Sequence, residues 1–316
     1  MNNDEKMFSL GAFECFATCV INALIAFGKD INYFLINYWN IEYFHNLLLG
    51  SKNIRLCSLP FIYSLEVFSK NESIEHVKDY IKENNKVIVQ CKASKLDYFP
   101  ERYLVGESTG MEHTFLINDI DEKGYNIIDG IVNYSGHISY ENFLNLSDQD
   151  GNIIFYTIKE IKDKKEFTKE EIIKKIITTN SNLYNQNKFD FGQKAYDLFK
   201  KKLLNSQKLP KKARDGWISL NKITVTTICN TRRVIWDSFK KLNIFPEDFT
   251  EVFEIKINDL IKNWKFVIFY LEKIKVSAKE NNYQKLCEKM DDVNQREREI
   301  LEIMKEFIKT KNKIIA

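Results

Sequence analysis

The chain has 316 residues, 44% of them hydrophobic and 13% aromatic, with a formal net charge of +3, which is ample for a packed core and excludes a disordered chain. Its 11 glycines and 4 prolines exclude collagen-like and linker classes, and neither G-x-x-x-x-G-K-[ST] nor G-x-G-x-x-G occurs, which removes the commonest ATP- and NAD-binding loops. The charge is divided: residues 1–160 hold 13 Lys+Arg against 22 Asp+Glu, a net of −9, and residues 161–316 hold 34 against 22, a net of +12.

The apolar stretch Cys15–Gly28 is too short to span a bilayer, and the Asp4, Glu5 and Lys6 before it are not the basic start of a signal peptide. Six cysteines without C-x-x-C spacing fit reduced thiols, and no histidine pairs with a cysteine at zinc-ligand spacing. A soluble cytoplasmic protein without a metal or membrane segment is therefore expected. Residues 15–27 place Phe16, Cys19, Val20, Ala23, Leu24 and Phe27 on one helical face, with Gly28 as the stop. A helix is predicted over 74–85 and a strand over Lys86–Cys91. His113–Ile120 reads as a strand, Asp121–Gly124 as a turn and Tyr125–Asp129 as the return strand, and Tyr156 and Ile158 end one more.

The charged passage Lys159–Lys169 lacks periodic apolar content and marks a boundary between domains 1–160 and 161–316. Beyond it, helices are predicted over 168–179, 192–204, 231–242, 250–276 and 280–310. The fold class is α+β: a mixed first domain followed by an α-helical C-terminal domain.

Three residues point to nucleophilic chemistry. Cys15 opens the first helix, where unpaired backbone N–H groups and the helix dipole favour a thiolate and offer half of an oxyanion hole. His113 begins a strand whose following residues are apolar, a rigid mount for a general base. Asp129 closes the return strand. Folding the hairpin about Glu122–Lys123 sets it opposite Leu116, one diagonal step from His113, where a carboxylate can orient an imidazole. His137 has no downstream acid at hairpin distance, and His45 and His76 read as structural or exposed residues.

This order and spacing resembles that of papain-like and bacteriocin-leader-peptidase-like cysteine enzymes. It is more similar still to the N-terminal domain of the butirosin-biosynthesis acyltransferase family. The matching residues are Cys15-x3-Cys19-x2-Asn22-x2-Ile25-x2-Gly28-x-Asp30, Val87-Ile88-Val89, Tyr98-x-Pro100-x2-Tyr103, His113-Thr114-Phe115-Leu116-Ile117 and Ile127-Ile128-Asp129-Gly130. They cover about residues 8–160, and Phe191–Tyr196 is similar to the start of such proteins' helical region. Two departures stand out. Gln90-Cys91-Lys92 follows the Val-Ile-Val strand where the family often has an acid, and no glutamine precedes the nucleophile. Upstream only Ser9, Asn2 and Asn3 could serve as the oxyanion donor, and Gln90 is the substitute considered.

The resemblance implies a papain-like fold, an N-terminal nucleophile helix on an antiparallel sheet, and a Cys15-His113-Asp129 triad. It further implies an acyltransferase or amide synthetase of specialised-metabolite (nonribosomal peptide or aminoglycoside-type) biosynthesis. Such an enzyme moves an acyl group from a carrier-protein thioester, through an acyl-cysteine, to an amine. No resident cofactor is implied, since phosphopantetheine arrives on the carrier. Glu107 and Glu112 would attract a cationic amine, with Gln90 and Tyr103 as further substrate-binding residues. The basic 200–214 segment would dock an acidic carrier protein; it lacks the interleaved aromatics of a nucleic-acid surface. A cysteine peptidase or amidase is the alternative in a different reaction class, and a non-catalytic carrier-binding protein is the third.

Overall fold

A computed structural model describes residues 7–50, 53–83, 85–101, 111–162, 167–185 and 190–315. In chain order the elements are helices α1 (Cys15–Ala26) and α2 (Asn32–Ile36), strands β1 (Ile41–Phe44) and β2 (Leu47–Gly50), α3 (Asn53–Tyr63) and β3 (Leu65–Ser73). Then follow α4 (Val77–Lys82), β4 (Lys86–Lys92), β5 (Glu112–Ile120), β6 (Gly124–Asp129), β7 (Tyr134–Ser139), α5 (Tyr140–Leu144) and β8 (Asn152–Glu160). Five long helices finish the chain: α6 (Lys169–Tyr184), α7 (Gly192–Ser206), α8 (Lys211–Lys241), α9 (Glu247–Val276) and α10 (Glu280–Ile315). The class is α+β, and no helix among the described residues is long and apolar enough to cross a membrane.

The chain forms two compact units, 1–31 with 56–166 and 32–55 with 167–316. A contiguous reading of 1–160 does not anticipate the assignment of 32–55. The reason is local to the second unit. Strands β1 and β2 form a hairpin whose His45–Asn46 turn has positive φ at both residues, the geometry that matches strand twist. Trp217 Nε1 donates to the Asn46 carbonyl at 2.8 Å, and Leu48 N donates to Asn221 Oδ1 at 3.1 Å, so the hairpin is clamped to α8. His45 is thus a turn residue.

The first unit is built on a six-stranded antiparallel sheet of order β3-β8-β4-β5-β6-β7. One face carries Val87, Val89, Cys91, Phe115, Ile117 and Ile127 into a core shared with α4 and Phe143. On the opposite face α1 runs across β5, where the Cys19 thiol donates to the Thr114 carbonyl at 3.5 Å. In the helical unit α8 is much longer than the predicted 231–242. Its run Ile223-Thr224-Val225-Thr226-Thr227-Ile228 is β-branched and reads against a helix. Thr224 and Thr226 hydroxyls are satisfied on the carbonyls of Asn221 and Lys222, and buried Val225 and Ile228 supply the packing that overrides propensity.

Candidate active site

The chain ahead of α1 is tied down before it reaches the cysteine. Phe8 N donates to Asn22 Oδ1 (3.1 Å), Asn22 Nδ2 returns to the Phe8 carbonyl (3.0 Å), and Leu10 N donates to Thr18 Oγ1 (3.2 Å). A turn then closes through Glu14 N on the Gly11 carbonyl, with Phe13 at φ 66, a left-handed conformation that a residue with a Cβ seldom adopts. Cys15 is the first helical residue, and the N-cap residue Glu14 makes no side-chain cap hydrogen bond.

The hairpin supplies the other two groups. The sequence reading set Asp129 opposite Leu116; the structure corrects this. Leu116 pairs with Ile128, because a β-bulge between Ile117 and Asp119 shifts the register by one residue. Continuing that register places Asp129 opposite Phe115, two residues from His113 and on the same face of the strand. Opposite Leu116 it would have pointed to the other face. His113 Nε2 donates to Asp129 Oδ2 at 2.6 Å, with the two residues 2% and 1% exposed. Cys15 also acts on the imidazole, since its thiol is among the groups that raise the His113 pKa.

Asp129 is itself held in place. Its Oδ2 also accepts from Tyr98 OH at 3.3 Å and its Oδ1 from Ile131 N at 3.1 Å. Gly130 follows because nothing larger fits: a Cβ there would lie 2.3 Å from the Phe8 carbonyl oxygen and 2.6 Å from Thr18 Cγ2. The Tyr98 ring stacks on Tyr134 at 4.0 Å, and the Phe99 ring meets the His113 ring edge-on at 4.8 Å. Burial and then the Asp129 charge push the Tyr98 phenol upward, so it stays protonated and donates.

Burial alone would lower the His113 pKa. Its hydrogen bonds to Asp129 and Cys15, together with their negative charges, outweigh that effect and raise it to about 9. The favoured state of the buried ring is therefore the imidazolium. Two further thiols lie nearby, and burial raises both: Cys19 well upward and Cys91, the register partner of His113, to about 12. Both are buried and stay protonated, while Cys15 is partly exposed. Of these three, Cys15 has the setting of a nucleophile.

The remaining predicted residues divide. Gln90 Nε2 donates to Glu112 Oε2 at 3.4 Å and Gln90 Oε1 accepts from Tyr156 OH at 3.2 Å. The Tyr156 ring in turn packs edge-on against Phe16 at 4.6 Å, beside Cys15. Gln90 and Glu112 thus belong to a polar strip flanking the thiol. Tyr103 and Glu107 lie outside the described residues. His137, lacking a downstream acid, pairs at the surface with upstream Asp121 (3.3 Å). Tyr98 lay within a motif quoted from the sequence, but neither it, Phe99 nor Tyr156 was assigned a role. Only the aromatic pair just before Pro100 hinted at the first two. Family models and curated proteins were compared with the chain, and none matches it.

Proposed function

We propose that the chain is a cysteine-dependent acyltransferase of papain-like architecture, moving an acyl group from a carrier-protein thioester to an amine. The observation that carries this reading is the buried imidazole–carboxylate pair, 2.6 Å apart, with the thiol that opens α1 among the groups acting on the ring. In the first half-reaction the Cys15 thiolate adds to the thioester carbonyl. The C–S bond to the carrier breaks, and His113 gives its proton to the departing carrier sulfur. In the second, an amine adds to the acyl-cysteine, His113 accepts the ammonium proton, and the Cys15 C–S bond breaks. The products are an amide, a free carrier thiol and the starting enzyme, with no net proton taken up.

Two features suit this cycle. Acylation removes the thiolate, and with it part of what raises the His113 pKa, so burial then pulls the ring towards the neutral base that the amine needs. A thioester also arrives activated, which agrees with the missing phosphate-binding motifs. The carrier-docking role proposed for 200–214 rests on exposed Lys201, Lys208, Lys211 and Lys212. Lys200 is instead engaged by Asp291 at 2.5 Å and Asp197 at 3.2 Å.

Intact-mass analysis with a carrier-bound acyl thioester tests the reading. An acyl adduct on the wild-type protein that is absent from Cys15→Ala, and an amide when a diamine is added, are expected. Free acid with and without the diamine would replace transfer by hydrolysis, and no adduct at all would leave a non-catalytic carrier-binding protein.

A further inference from the structure

Helix α9 carries two rows of residues at alternating spacings of three and four, the repeat of a coiled-coil seam. One runs from Phe253 through Leu260 and Val267 to Ile274 and is buried against its own bundle. The other holds Val252 (59% exposed), Ile255 (70%), Phe266 (40%), Phe269 (55%) and Val276 (82%). Asp259, Lys262 and Lys273 complete it, all exposed. Five of the thirteen exposed large hydrophobics among the described residues stand on this stripe, and Leu220 and Ile223 add two more on α8, the helix paired with it. The α8 pair lies beside the C-terminal half of α9, where Lys222 meets Glu272 at 2.7 Å. Single exposed apolar residues need no explanation, but a row with heptad spacing along about 36 Å of helix does.

The charges around the row identify what covers it. From Glu247 to Asp259 the helix holds five acids and Lys256, a net of −4; from Leu260 to Val276 it holds Lys262, Lys265, Lys273 and Lys275 against Glu272, a net of +3. Glu247, Asp248 and Glu251 are exposed at one end, as are Lys273 and Lys275 at the other. A second α9 laid antiparallel places each acidic half against a basic half, whereas a parallel one stacks like on like. The Lys273 ammonium lies 5.8 Å above the Phe269 ring and that of Lys289 5.8 Å above Phe266, so flexible stems screen the rings and can swing aside.

We infer that this stripe is a self-association surface: α9 pairs antiparallel with α9 of a second copy about a two-fold axis near the helix midpoint. The occupant is self-complementary in charge and in apolar spacing, as a two-fold interface must be.

Sedimentation analysis of the full chain over a range of concentrations tests this. A dimer that weakens as salt rises is expected, and Ile255→Glu with Phe269→Glu should weaken it at least about 100-fold while circular dichroism stays unchanged. Two charge-reversed variants give a test independent of folding: Lys262→Glu/Lys265→Glu/Lys273→Glu, and Glu247→Lys/Asp248→Lys/Glu251→Lys. Each should be monomeric alone, and the two mixed should form a heterodimer. A wild-type monomer at every concentration, a dimer that survives the Ile255/Phe269 change, or reversed variants that stay monomeric when mixed would each overturn the inference.

Discussion

Each unit buries a pair of opposite charges, and the two pairs differ in what lies beside them. In the helical unit Arg232 Nε donates to Glu297 Oε1 at 2.6 Å, with the residues 1% and 0% exposed. Trp264 Nε1 donates to the same oxygen at 2.9 Å, and the guanidinium lies 4.8 Å from the Trp39 ring. In the sheet unit His113 and Asp129 are buried as deeply, yet a partly exposed thiol also acts on the imidazole. Burial of charge is therefore no mark of chemistry by itself. The sealed pair is closed by aromatic rings and its worth is structural; the other has a route to solvent through sulfur.

This difference orders the expected effects of mutation. The largest is Asp129→Asn, which keeps the shape but removes the negative charge that holds the imidazolium. Acyl transfer should fall by about 10²–10⁴-fold in kcat/KM with the fold intact, and single-turnover kinetics beside circular dichroism will check it. Glu297→Ala should do the reverse. It leaves Arg232 buried without its carboxylate and costs about 3–5 kcal/mol of stability by denaturant titration, while kcat/KM of the folded protein is unchanged.

The pH dependence separates the pairs a third way. The His113 pKa is raised to about 9, so its imidazolium, and the stability that its contacts add, is complete below about pH 6.5, falls as pH rises towards 9 and is absent above. Acylation should fall about tenfold per pH unit beyond that point, read from adduct formation in rapid-quench experiments, and Asp129→Asn should move the break to lower pH. The smallest effect is Tyr98→Phe. It removes one hydrogen bond from Asp129 and should slow turnover by about three- to tenfold, with the break in the pH profile moved slightly.

Legibility from sequence followed burial. Helix α1, strands β4, β5 and β6, and helices α7, α9 and α10 carry strong apolar periodicity and were read to within a few residues. Strands β3 and β7 were missed. They are the two edges of the sheet, and Leu65–Ser73 and Tyr134–Ser139 are polar enough along their lengths to hide a period of two. The grouping of residues 32–55 with the helical unit was not legible, because the contacts that tie them there span most of the chain, Trp217 to Asn46 across 171 positions. Cys15, His113 and Asp129 could be singled out as candidates because each stands at the end of an element. The face on which Asp129 would emerge was not, since the register shift leaves only the polar Asn118-Asp119 inside an apolar strand.

That shift has a consequence for how the hairpin can vary. Lys86 Nζ grips the bulge by donating to the Asn118 carbonyl at 2.8 Å and to its Oδ1 at 3.2 Å. The carboxylate's side of the sheet depends on a count, one residue more on β5 than on β6, and hardly on which residue provides it. Exchanging Asn118 for another side chain should be tolerated, whereas deleting it would turn Asp129 away from the imidazole even if every strand reformed. Among natural variants, the length of this segment should be guarded more strictly than its spelling.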